Sequence, residues 1–147
     1  MPPRIDVMIA SRARHIPTAE QLIGWSRAAL PARSRSELSI RVVTQAEMRD
    51  LNSRYRGKHN ATNVLSFPAE LPEGLAIPLL GDIAVCAAVV NREARAQQKS
   101  SSAHWAHMIV HGTLHLQGYD HENEHDARKM ENRERRILAE LGFDDPY

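Results

Sequence analysis

The sequence lacks several features that define large classes of protein. It contains one cysteine, Cys86, among 147 residues, which excludes an internal disulfide framework. No apolar run approaches the roughly 20 residues of a membrane-spanning helix, and from the opening MPPRIDVMIA we expect no signal peptide. We therefore expect a cytoplasmic protein with no membrane association and no disulfide partner, in which Cys86 is a small buried side chain.

The length and composition are those of one globular domain. Hydrophobic residues make up 42% of the chain and charged residues 25%, so the chain can bury a core without disulfides. There is no internal repeat and no linker. We predict a single domain over residues 1–147.

Hydrophobic periodicity and capping residues predict nine elements of secondary structure. The predicted strands cover residues 5–10, 38–43, 63–67 and 80–85. The predicted helices cover residues 17–30, 44–55, 84–98, a segment capped by Ser101 or Ser102 that runs to about Leu116, and 122–141. Residues 68–78 are punctuated by proline and glycine and predict a loop. Strands that come early and helices that gather late favour an α+β fold, with a small mixed β-sheet packed with about five helices.

The net charge of +1 hides an uneven distribution. Residues 1–60 carry eleven basic and five acidic side chains, and residues 61–147 carry eight and thirteen. Sixteen of the nineteen cations are arginine, whose planar guanidinium suits phosphate better than the point charge of lysine. A phosphate-bearing partner is therefore compatible with the composition, although an ordinary solvated surface explains the charges equally well.

Three histidines within eleven residues form the most informative pattern, in the segment H-G-T-L-H-L-Q-G-Y-D-H. His111 and His115 are spaced to share one helix face, with Cβ atoms about 5–6 Å apart. Gly118 can end the helix, so that the chain brings His121 back toward the same point. Three imidazoles with one open position are typical of catalytic zinc, and we predict one Zn²⁺ ion there, although nickel, copper or iron also suit such ligands.

Other polar residues surround this segment. Asp120 could accept the free ring N–H of a ligating histidine, or it could make a local hydrogen bond in a turn. His104 and His107 lie on nearly the same helix face as His111 and His115. They could extend the site or line the core, and we favour the core for both. His15 and His125 are expected at the surface.

A second pattern is the basic stretch before the third predicted strand. Arg54, Arg56 and Lys58 lie within five residues, beside Tyr55, and could bind the phosphates of a substrate. A solvated basic turn fits this stretch equally well. Asp82, in L-G-D-I, is unusual for a buried strand and is either an edge carboxylate or part of the site.

The histidine spacing is similar to that of the H-E-x-x-H-x-x-G-x-x-H zinc peptidases. Gly112 stands where those enzymes carry the glutamate that serves as general base. A metzincin-like peptidase is therefore an alternative that lacks its base.

These motifs resemble the YbeY family of bacterial endoribonucleases. The family's H-G-x-L-H-L-x-G-Y-D-H signature matches at residues 111–121, L-N-x-x-Y-R-x-K at 51–58, T-N-V-L-S-F-P at 62–68 and L-G-D-I at 80–83. His59 and Ala61 depart from the family pattern, which has Asp and Pro at these positions; loss of the proline loosens the loop that presents Arg56.

The resemblance implies a zinc-metallohydrolase-like α+β fold with a His-x-x-x-His helix and zinc on His111, His115 and His121. It implies cleavage of single-stranded RNA, in rRNA maturation at the 16S 3′ end and in ribosome quality control, with rRNA and ribosomal particles as partners. It also makes Arg56 the important arginine. The resemblance leaves open a non-enzymatic ribosome-assembly factor in which the metal only stabilises the fold.

A metal-assisted phosphodiester cleavage follows as the mechanistic hypothesis. Arg56 would hold the phosphate and stabilise the charge that develops on it, with Arg54 and Lys58 as substrate-binding residues. Asp120, Glu122 or Asp82 could act as the base. Attack by water and attack by the RNA 2′-hydroxyl both fit the residues.

Overall fold

The computed structural model describes residues 3–71 and 78–147, and its strands form one mixed sheet. The strands are β1 (Arg4–Ile9), β2 (Glu37–Val43), β3 (Val64–Pro68) and β4 (Leu79–Cys86). They are ordered β1-β2-β4-β3, with β1, β2 and β4 parallel and β3 antiparallel to β4. This confirms the predicted small mixed sheet, while part of the loop predicted between β3 and β4, residues 72–77, lies outside the described residues.

Five helices accompany the sheet and confirm the predicted α+β fold. They are α1 (Ala19–Ala28), α2 (Gln45–Arg56), α3 (Ala87–Ala96), α4 (Ser101–Leu116) and α5 (Glu124–Glu140). Within the described ranges, no helix has the length and apolar character that crossing a membrane requires.

The predicted starts of four helices are wrong. The first and fifth helices begin two residues later than predicted, at Ala19 and Glu124, after the N-caps Thr18 and Asn123. The third helix was expected from Ala84 but begins at Ala87, because residues 84–86 continue β4 and pair with β2 and β3. The fourth helix is capped by neither Ser101 nor Ser102. Its N-cap is Ser100, whose hydroxyl accepts the backbone N–H of Ala103 over 3.1 Å and so satisfies a free helix donor.

Helix α4 is central because it packs on one face of the sheet against α1, α3 and α5. Alternation along the strands directs apolar side chains toward it, among them Ile40, Val42, Ile83 and Val85. Trp105 and Ile109 of α4 are completely buried against them. Helix α2 covers part of the opposite face over a smaller cluster that includes Cys86, which is buried as expected.

A glycine allows α4 to lie directly on the sheet. A Cβ atom added at Gly112 would lie 3.1 Å from Cγ2 of Ile83 and 3.3 Å from Oγ of Ser66. The Ser66 hydroxyl donates to the carbonyl of Gly112 over 3.1 Å. The backbone of α4 therefore lies directly against β3, with no side chain between them at Gly112.

A second close approach, inside the sheet, generates a stability prediction. Gly81 has φ +143°, and a Cβ there would collide with the carbonyl oxygen of Phe67 and lie 2.9 Å from the Ala69 nitrogen. Because both obstacles are backbone atoms of the neighbouring strand segment, Gly81→Ala should lower the free energy of unfolding by about 3 kcal/mol, measured by urea denaturation.

Gly24→Ala is the matched control. Gly24 is exposed in α1 with nothing within 4 Å of its added Cβ, so alanine there should stabilise by about 0.5–1 kcal/mol. Equal stabilities for the two variants would show that the contact at Gly81 does not constrain the sheet.

Candidate metal centre and substrate groove

The structure brings the three predicted histidines together. His111 and His115 lie one turn apart on α4, and after Gly118, with φ +96°, the chain turns back to His121. One ligand nitrogen from each ring lies within 4.8 Å of the others. The ring centroids are 4.7 Å apart for His111 and His115, and 5.1 Å for His115 and His121. We call these three residues the histidine triad.

The protonation of His115 suits metal binding. Burial lowers the pKa of His115, and the neighbouring His111 and His121 lower it further. A neutral imidazole has the free lone pair that a metal ion needs. Three imidazole donors at this spacing fit a zinc ion.

A buried carboxylate that was not predicted from the sequence lies behind the triad. Glu134 of α5 has no exposed surface, and its oxygens accept hydrogen bonds from His111 Nδ1 at 3.2 Å, His107 Nε2 at 3.0 Å and the Tyr147 hydroxyl at 2.7 Å. Burial alone would raise the pKa of Glu134, but the hydrogen bonds from His107 and His111 outweigh burial and hold that pKa at about 2. The carboxylate is therefore ionised inside the core.

A signal for Glu134 was present in the sequence. It lies on the apolar stripe of α5, where the other buried residues are Met130, Ile137 and Leu138. A charged residue on such a stripe is costly unless it has partners. The position of Glu134 on the buried face predicts that it has a hydrogen-bonding partner. The periodicity does not identify His107 and His111 as those partners.

The other histidines lie where they were expected. His104 and His107 are buried, with 3% and 7% of their surface exposed, whereas His15 and His125 are exposed. His104 Nε2 pairs with Glu93 of α3 at 2.9 Å, much as His107 pairs with Glu134. The buried face of α4 thus carries a row of histidines, of which only the last two belong to the triad.

A groove of about 650 Å³ lies beside the triad. Arg56 and Lys58 line it from the basic stretch, and Asp120 and Glu122 line it from the segment that follows α4. Two patterns that are more than fifty residues apart in the sequence therefore meet in one groove.

Arg56 is held in the groove by the end of α2. The helix ends there, and Gly57 reverses the chain with φ +66°. The Arg56 guanidinium donates to the Ser66 carbonyl over 3.3 Å. Buried Asn52 anchors the following loop by donating to the Asn60 carbonyl over 2.8 Å, although Ala61 replaces the family's proline.

Three residues that were candidates for the site have side chains bonded to groups other than the histidine rings. Arg54 does not line the groove, and its side chain pairs with Asp50 at 3.1 Å in solvent. Asp120 accepts the backbone N–H of His121 over 2.7 Å, which is a turn contact, and within residues 3–71 and 78–147 it makes no hydrogen bond to a histidine ring. Asp82 accepts the Ser39 hydroxyl on the sheet face opposite α4, away from the groove.

Comparisons with known proteins agree with this architecture. The family described as endoribonuclease YbeY matches residues 7–142. The solution structure of TM1509 from Thermotoga maritima is similar in fold, with a TM-score of 0.55 and 22% identity over 94% of this chain and 91% of that chain. At family level the match supports a metal-dependent endoribonuclease role in rRNA maturation. Because the match spans most of its length, the chain belongs to the YbeY endoribonuclease family.

Proposed function

We propose that this protein is a zinc-dependent endoribonuclease that cleaves single-stranded RNA in the groove beside the histidine triad. Its substrate is rRNA, free or in ribosomal particles in the cytoplasm, and its roles are 16S 3′-end maturation and ribosome quality control. The observation that carries the proposal is the shared groove of Arg56 and the triad. Arg56, which would bind a phosphate, and the triad, which would bind a metal ion, line the same groove. Metal-assisted phosphodiester cleavage requires both at one place.

Arg56 binds the phosphate at the reacting bond. Its Nη2 is directed to the Ser66 carbonyl, which leaves other N–H donors of the guanidinium for two phosphate oxygens. Because these donors are oriented before the substrate binds, they stabilise the negative charge that develops during cleavage.

The triad and the groove carboxylates complete the chemistry. His111, His115 and His121 would hold a zinc ion, which would supply Lewis acidity toward the phosphate. Lys58 adds positive charge along the groove for the RNA backbone. Asp120 and Glu122 line the groove as carboxylates able to hold a proton, a role from which Asp82 is excluded by its position on the other face.

The geometry at Gly112 argues against the peptidase alternative. A side chain at this position would begin against Ile83 and Ser66, so it would be directed into the sheet. A Cβ at Gly112 already requires Ile83 or Ser66 to shift by a few tenths of an ångström, and the longer side chain of a glutamate needs more space between α4 and the sheet. The glycine serves helix packing, and a carboxylate at its position would be directed toward the sheet instead of the groove.

The triad generates the first prediction. His115→Ala should lower zinc affinity at least ~100-fold, because it removes a direct ligand whereas outer partners alone cost 10–100-fold. Metal analysis of the purified protein and competition with a chelator measure this. His125→Ala, at an exposed position outside the triad, should keep wild-type affinity, and unchanged metal content in His115→Ala would refute the assignment.

The groove generates the second prediction. Arg56→Ala should remain folded and metal-loaded while kcat/KM for a single-stranded RNA falls about 10²–10³-fold, as when one charge-stabilising donor is lost. Arg54→Ala is the matched control, since Arg54 is two residues away on the same helix but outside the groove. Equal losses in both variants would indicate general charge rather than a specific phosphate contact.

Removal of the metal generates the third prediction. A chelator should abolish RNA cleavage and zinc should restore it, with casein uncut under either condition. The KM for RNA should rise with salt, because phosphate contacts release counterions. The His115→Ala protein controls for contaminating nuclease, because cleavage that survives both chelator and this substitution is not cleavage at the triad and would contradict the proposal. Triad variants that lose stability yet still support ribosome assembly would favour the non-enzymatic assembly factor.

A further inference from the structure

Glu134 is shared between two sets of residues. Ligand atoms of His107, His111 and Glu134 approach one another within 4.8 Å, as those of the triad do. His111 belongs to both sets. Glu134 is therefore either a ligand of a second metal ion or an anionic support for the first site.

The hydrogen-bond geometry favours a support. Glu134 accepts from His107, His111 and the Tyr147 hydroxyl at 3.0, 3.2 and 2.7 Å, which are ordinary hydrogen-bond lengths. Three donors satisfy a buried carboxylate without a cation. A second ion would have to displace at least one of these donors from a pocket with no exposed carboxylate surface.

The two ring nitrogens of His111 have separate roles in this arrangement. Nδ1 is directed at Glu134, so it carries the proton when the carboxylate is ionised. Nε2 then has the free lone pair, and it is the nitrogen left for the triad. A carboxylate that accepts the second N–H of a ligating histidine fixes the tautomer, orients the ring and raises its basicity.

Tyr147 is held against Glu134 by residues on three segments. Its backbone N–H donates to Asp145 over 2.9 Å, and Arg135 of α5 donates to the same carboxylate over 3.0 Å. The Arg135 guanidinium also lies 5.1 Å from the centre of the Tyr147 ring. Lys99, before α4, donates to the Pro146 carbonyl over 2.8 Å. Residues 145–147 thus form a strap that is bonded to α5 and to the segment before α4, with the Tyr147 hydroxyl at the buried carboxylate.

The Tyr147 hydroxyl keeps its proton for this contact. Burial and the neighbouring Glu134 carboxylate both raise the pKa of Tyr147. The hydroxyl reaches both Glu134 oxygens, at 2.7 and 2.9 Å, and therefore limits rotation of the carboxylate that holds His111.

We propose that Glu134 and Tyr147 are positioning residues that set the metal affinity of the histidine triad through His111, and that the strap of residues 145–147 is part of the metal centre. The inference rests on metal binding by the triad within the proposed function, but it does not depend on RNA as the substrate.

Two substitutions test this inference, with zinc affinity from chelator competition as the readout. Glu134→Gln should weaken zinc binding about 10–100-fold, because the amide carries no charge and cannot accept from all three donors. Tyr147→Phe should weaken it about tenfold, the lower end of the range for loss of an outer partner, because one hydrogen bond is lost while the carboxylate keeps its charge. The visible spectrum of the Co²⁺-substituted protein should change in both, since it reports ligand geometry, and thermal unfolding of the metal-free proteins checks folding.

Two control variants separate positioning from general stability. Glu93→Gln breaks a partly buried histidine–carboxylate pair outside the triad, in which His104 is buried and the Glu93 side chain is 32% exposed. Tyr55→Phe removes a hydroxyl from a tyrosine that is 62% exposed on another surface. Both should retain wild-type zinc affinity and Co²⁺ spectrum, even where Glu93→Gln lowers the unfolding temperature.

The outcomes distinguish this inference from the proposed function. Wild-type affinity and an unchanged Co²⁺ spectrum in folded Glu134→Gln and Tyr147→Phe would overturn the inference and leave the metal centre intact. If Glu134→Gln does not fold, Tyr147→Phe decides alone. Two zinc ions per wild-type chain and one in Glu134→Gln would make Glu134 a metal ligand and also overturn it. A wild-type protein that binds no zinc would refute the metal centre itself.

Discussion

At Gly112 the backbone of α4 lies against the sheet, with the Ser66 hydroxyl donating to its carbonyl over 3.1 Å and Ile83 filling the space where a side chain would begin. The rest of the site depends on this approach. The Ser66 carbonyl accepts a hydrogen bond from the Arg56 guanidinium. One residue of β3 is therefore hydrogen-bonded both to the helix that carries two triad histidines and to the arginine. Since interiors are close-packed, a wider separation of α4 from β3 would separate the metal-binding residues from the phosphate contact.

The second constraint is electrostatic. An ionised carboxylate is stable in a core only when donors replace the water that it has lost. Glu134 has such donors in two histidines and a tyrosine, and their geometry also decides which nitrogen of His111 is free. The same hydrogen bonds therefore stabilise a buried charge and organise a site at the protein surface. The exposed pair of Arg54 and Asp50 organises nothing comparable, because water screens both of its charges.

Much of the fold was predictable because its signals are local. Alternation and helical periodicity predicted all nine described elements in the right order, and Gly118 ends α4 as its position in the motif indicated. The errors at the starts of α3 and α4 have a common cause, because the local sequence at both places fits more than one arrangement. Residues 84–86 are apolar and fit a helix as well as a strand, and only their pairing with β2 and β3 decides for the strand. Serine occupies positions 100, 101 and 102, and the start of α4 selects Ser100 as the cap.

The sequence by itself determined the three histidines as a group, since a helix places residues four apart on one face and a glycine turn returns the third. It also determined the asymmetry of charge that makes the front half suitable for phosphate. Only the tertiary structure decided that Arg56 lines the groove while Arg54 is in solvent, and that Asp82 faces away from it. Only the tertiary structure paired His111 with Glu134, 23 residues away. Local patterns specify the face on which a side chain lies, whereas long-range packing decides which other face it meets.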